Sequence, residues 1–143
     1  MKTFSPGRLL ATLALLLFAF PALAQSPLGV WRTIDAETGE PKSHVEIYEQ
    51  GGKLHGRVLM LLPEGRLCTP CADEYEGRDL RGVVVLRDMA QDGEEWTGGT
   101  ITDPANGRTY RAKMALDGAN SLRVRGFVGF SLLGRTQVWE RVR

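Results

Sequence analysis

An all-β fold, with about eight antiparallel strands closed into an up-and-down barrel, is predicted by three features of this 143-residue chain. Short runs of alternating apolar and polar residues recur along it. Turns of hairpin length, rich in glycine, separate those runs. No helix start signal followed by helical periodicity occurs after Gln25, apart from room for a single helical turn near Asp73 to Asp79. Sequential hairpins in one small domain can close on themselves, which removes exposed strand edges. A two-sheet sandwich uses much the same local signals and stands as the alternative.

The clearest hairpin runs from Trp96 to Leu116. Its centre, Asp103-Pro-Ala-Asn-Gly107, has the composition of a tight turn: Pro104 suits the first corner, and Asn106 and Gly107 tolerate positive φ. The Asp103 carboxylate is placed to accept local backbone N–H bonds. Beyond the turn Tyr110, Ala112, Met114 and Leu116 alternate with polar neighbours, the period of a strand with one buried and one wet face. Before it, Gly98 and Gly99 allow a bulge or a close backbone approach.

The other strands follow in order. Gly29 to Arg32 opens the domain, and a polar turn spans Glu37 to Pro41. From Ser43 to Glu49, Val45 and Ile47 share one face while His44, Glu46 and Tyr48 share the other. Gly51-Gly52 is a two-residue hairpin signal, and Lys53 to Leu62 follows as a longer strand. Pro63 to Arg81 is the longest irregular stretch. Val83 to Met89 has the β-branched run of a buried strand, and Asp92-Gly93 is the next turn. After a turn at Asp117 to Asn120, Leu122, Val124, Gly126 and Val128 alternate with Arg123, Arg125 and Phe127. Gly129 to Gly134 is an apolar connection, and Arg135 to Arg141 is the last strand, carrying Trp139.

Residues 1–24 read as a cleaved signal peptide, with Lys2 and Arg8 as the positive region, Leu9 to Phe20 as the apolar core, and Ala22-Leu23-Ala24 as the cleavage site. The expected product is a single domain, Gln25–Arg143, exported to the periplasm with no membrane span. Removing Lys2 and Arg8 from the 18 basic residues leaves 16 against 17 acidic ones. A chain so nearly neutral overall lacks the footprint expected of a nucleic-acid or anionic-membrane partner, and neither is expected. Cys68 and Cys71 are the only two cysteines. In an oxidising compartment a pair this close is expected to form a disulfide that shapes its loop and stabilises modestly.

Five stretches together resemble a secreted bacterial family, domain of unknown function 2147 (DUF2147). They are Gly29-Val-Trp31, Cys68-x-x-Cys71, Trp96-x-Gly-Gly-x-Ile-x-Asp-Pro-x-x-Gly-x-x-Tyr110, Leu122-x-Val-x-Gly-Phe-x-Gly129 and Leu133-Gly-Arg-Thr-Gln-x-Trp139. The resemblance spans nearly all of the expected mature chain and implies a lipocalin-like (calycin) β-barrel in the periplasm. It implies no established activity. Lipocalins carry Gly-x-Trp on the first strand with a basic residue from the last strand over the indole. Here Gly29-Val30-Trp31 matches, and Arg141 or Arg135 is placed to supply the cation.

Catalytic constellations are thin. Cys68-Thr-Pro-Cys71 lies between strands, not at the start of a helix whose dipole would lower a thiol pKa. Nothing brings His44 and His55 to the cysteines as metal ligands, no metal or cofactor is expected, and Ser131 lacks the Gly-x-Ser-x-Gly elbow. The aromatic set reads either as a filled core or as pocket walls. The pocket reading names Trp31, Tyr48, Trp96, Tyr110, Met114, Phe127 and Trp139 as ligand-binding residues, with no catalytic residue assigned. Binding of a small apolar or amphipathic molecule is therefore the leading expectation. An envelope protein-interaction module, using the Gly129 to Gly134 segment with its apolar Phe130-Ser-Leu-Leu133 or the long Pro63 to Arg81 loop, is the second, and an enzyme or thiol-redox protein using Cys68/Cys71 the third.

Overall fold

A computed structural model describes residues 2–3 and 25–143; the expected signal peptide otherwise lies outside the described residues. The strands are β1 (Gly29–Ile34), β2 (Pro41–Gln50), β3 (Lys53–Leu61), β4 (Val84–Asp92), β5 (Glu95–Asp103), β6 (Arg108–Leu116), β7 (Ser121–Phe127) and β8 (Gly134–Arg141). Each pairs antiparallel with its sequence neighbour, and β8 returns to β1, so the sheet closes as an eight-stranded up-and-down barrel. The sandwich alternative is excluded. No helix is assigned among the described residues; near the expected helical turn, the Glu76 N–H reaches the Ala72 carbonyl at 2.9 Å as one isolated turn.

Local chemistry explains the turns. Gly51 and Gly52 both take positive φ, 63° and 76°, as a two-residue hairpin requires. At the β5–β6 turn the Asp103 carboxylate accepts the Ala105 N–H at 2.9 Å, and its carbonyl accepts the Gly107 N–H at 2.8 Å. Gly107 takes the positive φ; Asn106 instead accepts the Arg108 N–H through its side chain at 2.8 Å. Strand β7 stops at Phe127 because Gly129 turns the chain at φ 69°, so Val128 leaves the inward-facing series it was expected to continue and is exposed.

Side-chain parity fills most of the barrel. Trp31, Ile47, Leu54, Leu86, Met89, Trp96, Met114, Leu122, Val124 and Trp139 form one buried cluster. Two irregularities make it fit. The β5–β6 register shifts between Trp96 and Gly99, and Gly99 lets β5 pass against the Arg87 carbonyl and the Met89 sulfur. On β4, Asp88 adopts φ 58°, a left-handed conformation that Asp tolerates better than most residues. A bulge there keeps both Leu86 and Met89 fully buried although they are three residues apart.

The barrel closes at a short seam, where β1 and β8 pair at Trp31↔Arg141 and Arg32↔Glu140 and the Val30 backbone bonds on to Val142 and Arg143. Arg141 reinforces it. Its guanidinium lies 4.3 Å from the Trp31 ring centroid and donates to the carbonyls of Ala119 (2.6 Å), Leu28 (2.9 Å) and Ser26 (2.7 Å). The Trp31 indole N–H donates to the Pro27 carbonyl at 2.8 Å. Of the two arginines offered by the sequence, Arg141 is the one over the indole.

Three outcomes follow for chemical denaturation. Gly99→Ala drives a methyl into backbone and is expected to cost roughly 2–3 kcal/mol. Gly126→Ala, whose methyl would sit 3.3 Å from Ile101 Cγ2, costs less than about 1 kcal/mol. Arg141→Lys keeps the charge but loses the planar three-carbonyl fork, and is expected to cost about 2 kcal/mol.

Candidate functional site

The barrel has one end sealed by the short turns β2–β3, β4–β5 and β6–β7 together with residues 26–28 and 142–143. The other end carries the longer connections and holds a cavity of about 320 Å³. Strands β1 to β5 and β8 contribute to its wall, whereas β6 and β7 do not. On that side the space is taken up by Tyr110 and Ile101, which pack against Gly126.

The deep surface of the cavity is apolar, formed by Val45, Val58, Leu80, Val85, Ile101 and Trp139. Within it lies one polar pair: the Thr33 and Ser43 hydroxyls, on buried residues, are 2.7 Å apart and hydrogen-bond each other. The Trp139 indole N–H is satisfied by Gln137 Oε1 at 3.0 Å, so a cavity-lining indole presents its ring while its polar edge is already paired. The rim is charged, with Asp35, Lys42, Arg66 and Asp103 around it. Backbone N–H bonds from Thr38 and then Glu37 hold the Asp35 carboxyl below the usual aspartate value, with Lys42 adding a smaller pull. The rim therefore keeps its negative group ionised through mildly acidic conditions, beside an ammonium 3.7 Å away.

A folded connection between β3 and β4 roofs part of this end. Cys68 and Cys71 are joined, with Cα atoms 5.7 Å apart, and both line the cavity. Val58, Cys68, Leu80 and Val85 make a second small core beneath the connection. Glu76 organises its turn by accepting from the Thr69 hydroxyl (2.7 Å) and the Cys71 N–H. The Ala72 N–H reaches the Pro104 carbonyl at 3.0 Å and ties the roof to the β5–β6 turn. Gly107 matters here, because a Cβ on it would lie 3.0 Å from that of Ala72.

The seven aromatic and sulfur residues expected to bind ligand are dispersed by this arrangement. Trp139 lines the cavity. Trp31, Trp96 and Met114 are packed in the filled part of the barrel, away from it. Tyr110 is half-buried on the β6 wall, its hydroxyl accepting from Asn106 Nδ2 at 3.1 Å. Tyr48 and Phe127 are on the outer wall: Tyr48 stacks on His55 with Arg57 4.7 Å from its centroid, and Phe127 lies beneath Arg111. The pocket made from all seven is thus replaced by one built around Trp139 and aliphatic side chains. The polar residues Thr33, Asp35, Lys42, Ser43, Arg66 and Gln137 were not anticipated, because strand closure alone brings their distant positions together.

Comparison with known proteins agrees with this architecture. The model of the family described as "Uncharacterized protein conserved in bacteria (DUF2147)" matches residues 29–141. Among solved structures, one titled "Protein HP1028 from the human pathogen Helicobacter pylori belongs to the lipocalin family" is similar, with a TM-score of 0.70 and 21% identity. The match covers 83% of this chain and 84% of that one. No curated protein matches the sequence.

Opening the disulfide tests the roof. Cys68→Ser with Cys71→Ser is expected to lower stability by about 2 kcal/mol at most, because so short a loop has little closure entropy to lose. Hydrogen exchange should rise in residues 66–78 and remain near wild type in β6 and β7.

Proposed function

Because the chain belongs to the DUF2147 family and folds as a lipocalin-like barrel, we propose that it is an exported, periplasmic binding protein for a small amphipathic molecule. The observation that carries this reading is the open-ended cavity of about 320 Å³, apolar in its depth and charged at its rim. That volume is at the low end of the roughly 300–1,000 Å³ typical of small-ligand sites. It suits a compact ligand rather than a long acyl chain lying through the barrel, whose lower part is filled by side chains.

The ligand's apolar part would rest on Val45, Val58, Ile101 and the Trp139 ring, exchanging water for dispersion contacts. Its polar end would face the rim, where Lys42 and Arg66 offer cations and Asp35 and Asp103 offer acceptors. A head group carrying both hydrogen-bond donors and an anionic centre would match such a mixed rim. Export follows from the N-terminal pattern of a positive region, apolar core and small-residue cleavage site. The disulfide fits an oxidising compartment.

Native mass spectrometry of the protein purified from the periplasm, beside an organic extract of the same sample, is the test. A reproducible adduct lost on denaturation is expected. Leu61→Trp, placing an indole in the cavity wall, should weaken adduct binding by roughly tenfold or more. Tyr48→Ala on the outer wall should leave it unchanged. Bare protein that also fails to enhance an apolar fluorescent probe would remove the proposal.

A further inference from the structure

The two halves of the barrel carry opposite charge. From Gln25 to Asp103 there are eight basic and fifteen acidic residues, whereas from Pro104 to Arg143 there are eight basic and two acidic. The segment Gly118 to Trp139 contains no carboxylate at all. Since β6, β7 and β8 are neighbours in the wall, the excess of cations forms one contiguous face. Arg111, Lys113, Arg123 and Arg125 project outward from it, opposite in parity to buried Ala112, Met114, Leu122 and Val124.

One carboxylate, Glu95 at the start of β5, borders the same surface hollow as Lys113, Arg123 and Arg125. Among the described residues none of the four takes part in an ion pair; the pairs formed are Arg32–Glu140, Lys42–Asp35, Arg57–Glu46 and Arg81–Asp79. Lys113 and Arg125 stand directly across from each other on adjacent strands, an arrangement that repels unless an anion lies over it.

At the cavity end of the same face, the β7–β8 connection exposes four large apolar side chains. Val128 is 67% exposed, Phe130 77%, Leu132 88% and Leu133 70%. They are held there rather than left to fold back. Arg125 donates to the carbonyls of Ser131 and Leu132 and to the Thr136 hydroxyl, and the Leu133 N–H bonds to the Phe130 carbonyl at 2.9 Å. A protruding tip of aliphatic and aromatic groups, backed by unpaired arginines and lysine, is the arrangement that suits an anionic bilayer. Apolar groups enter the acyl boundary while cations meet phosphates at headgroup depth.

We propose that the Val128–Leu133 tip and the basic β6–β7–β8 face dock this protein on an anionic lipid surface. The proposal does not require the cavity to be occupied.

Vesicle flotation with residues 25–143 tests it, since the closed barrel is complete within that segment and the apolar run at Leu9–Phe20 would itself bind lipid. The protein is expected to float with vesicles of phosphatidylglycerol and phosphatidylethanolamine, to float poorly with phosphatidylcholine alone, and to be released by high salt. Arg111→Gln with Arg123→Gln should weaken binding on the order of fivefold per charge removed. Leu132→Ser with Leu133→Ser should weaken it by roughly tenfold or more.

Phe130→Trp gives an independent readout. The three native indoles are buried, so the added exposed one should blue-shift on anionic vesicles and be quenched by brominated acyl chains. Failure of the unsubstituted protein to float with anionic vesicles at low salt overturns the proposal, as does flotation unaffected by both double variants. An indole at 130 that responds to an envelope protein but not to lipid overturns it too, in favour of a protein-docking tip.

Discussion

The stack of Arg141 on Trp31 holds the ring of strands shut. Every other strand pair is a hairpin between sequence neighbours, whereas β1 and β8 must meet across the length of the domain and share only two register positions. Backbone bonds between Val30 and residues 142 and 143 extend the seam, and one guanidinium reinforces it. Its planar fork reaches carbonyls from the N-terminal segment and from the β6–β7 turn, and its face covers the indole. The sealed end of the barrel is thereby tied to the segment that leads into β1. The opposite end is left free to carry long connections and a cavity.

That division decides what the molecule can do. Below the cavity, Trp31, Trp96 and the surrounding aliphatic side chains leave little room, and the irregularities at Asp88 and Gly98–Gly99 serve packing. Near the open end the strands reach past the core, and the inward side chains become small or polar: Thr33, Ser43 and Gln137. The folded β3–β4 connection then covers part of the mouth, stabilised by its own small core, its disulfide and one backbone bond to the β5–β6 turn. Wall and roof together enclose a cavity already formed by the fold.

Much of this fold was legible because period-two alternation and glycine punctuation are local signals. Gly51-Gly52, the Asp103 turn and the bulge at Gly98-Gly99 all appear where their chemistry predicts them. The site was far less legible. Parity already grouped Tyr48 with His44 and Glu46, and Phe127 with Arg123 and Arg125, on outer faces; aromatic character drew both into the expected pocket in spite of it. Trp31 and Trp96 illustrate a different difficulty, since an inward ring can fill space or border it, and only packing across the closed barrel decides. The rim residues come from connections far apart in sequence, and no local pattern joins Asp35 to Arg66 or Gln137.

The β1–β8 seam also imposes an order in time. A ribosome makes β1 first and β8 last, separated by about 100 residues of chain, which at roughly 5–20 residues per second is on the order of ten seconds. Throughout that interval Trp31 has no guanidinium to cover it, and the N-terminal edge of the growing meander has no partner. The seven sequential strand pairs are local contacts, but the ring itself cannot exist until Arg141 is present. Loss of the last three residues, 141–143, would therefore leave an open, sticky sheet rather than a slightly shorter barrel.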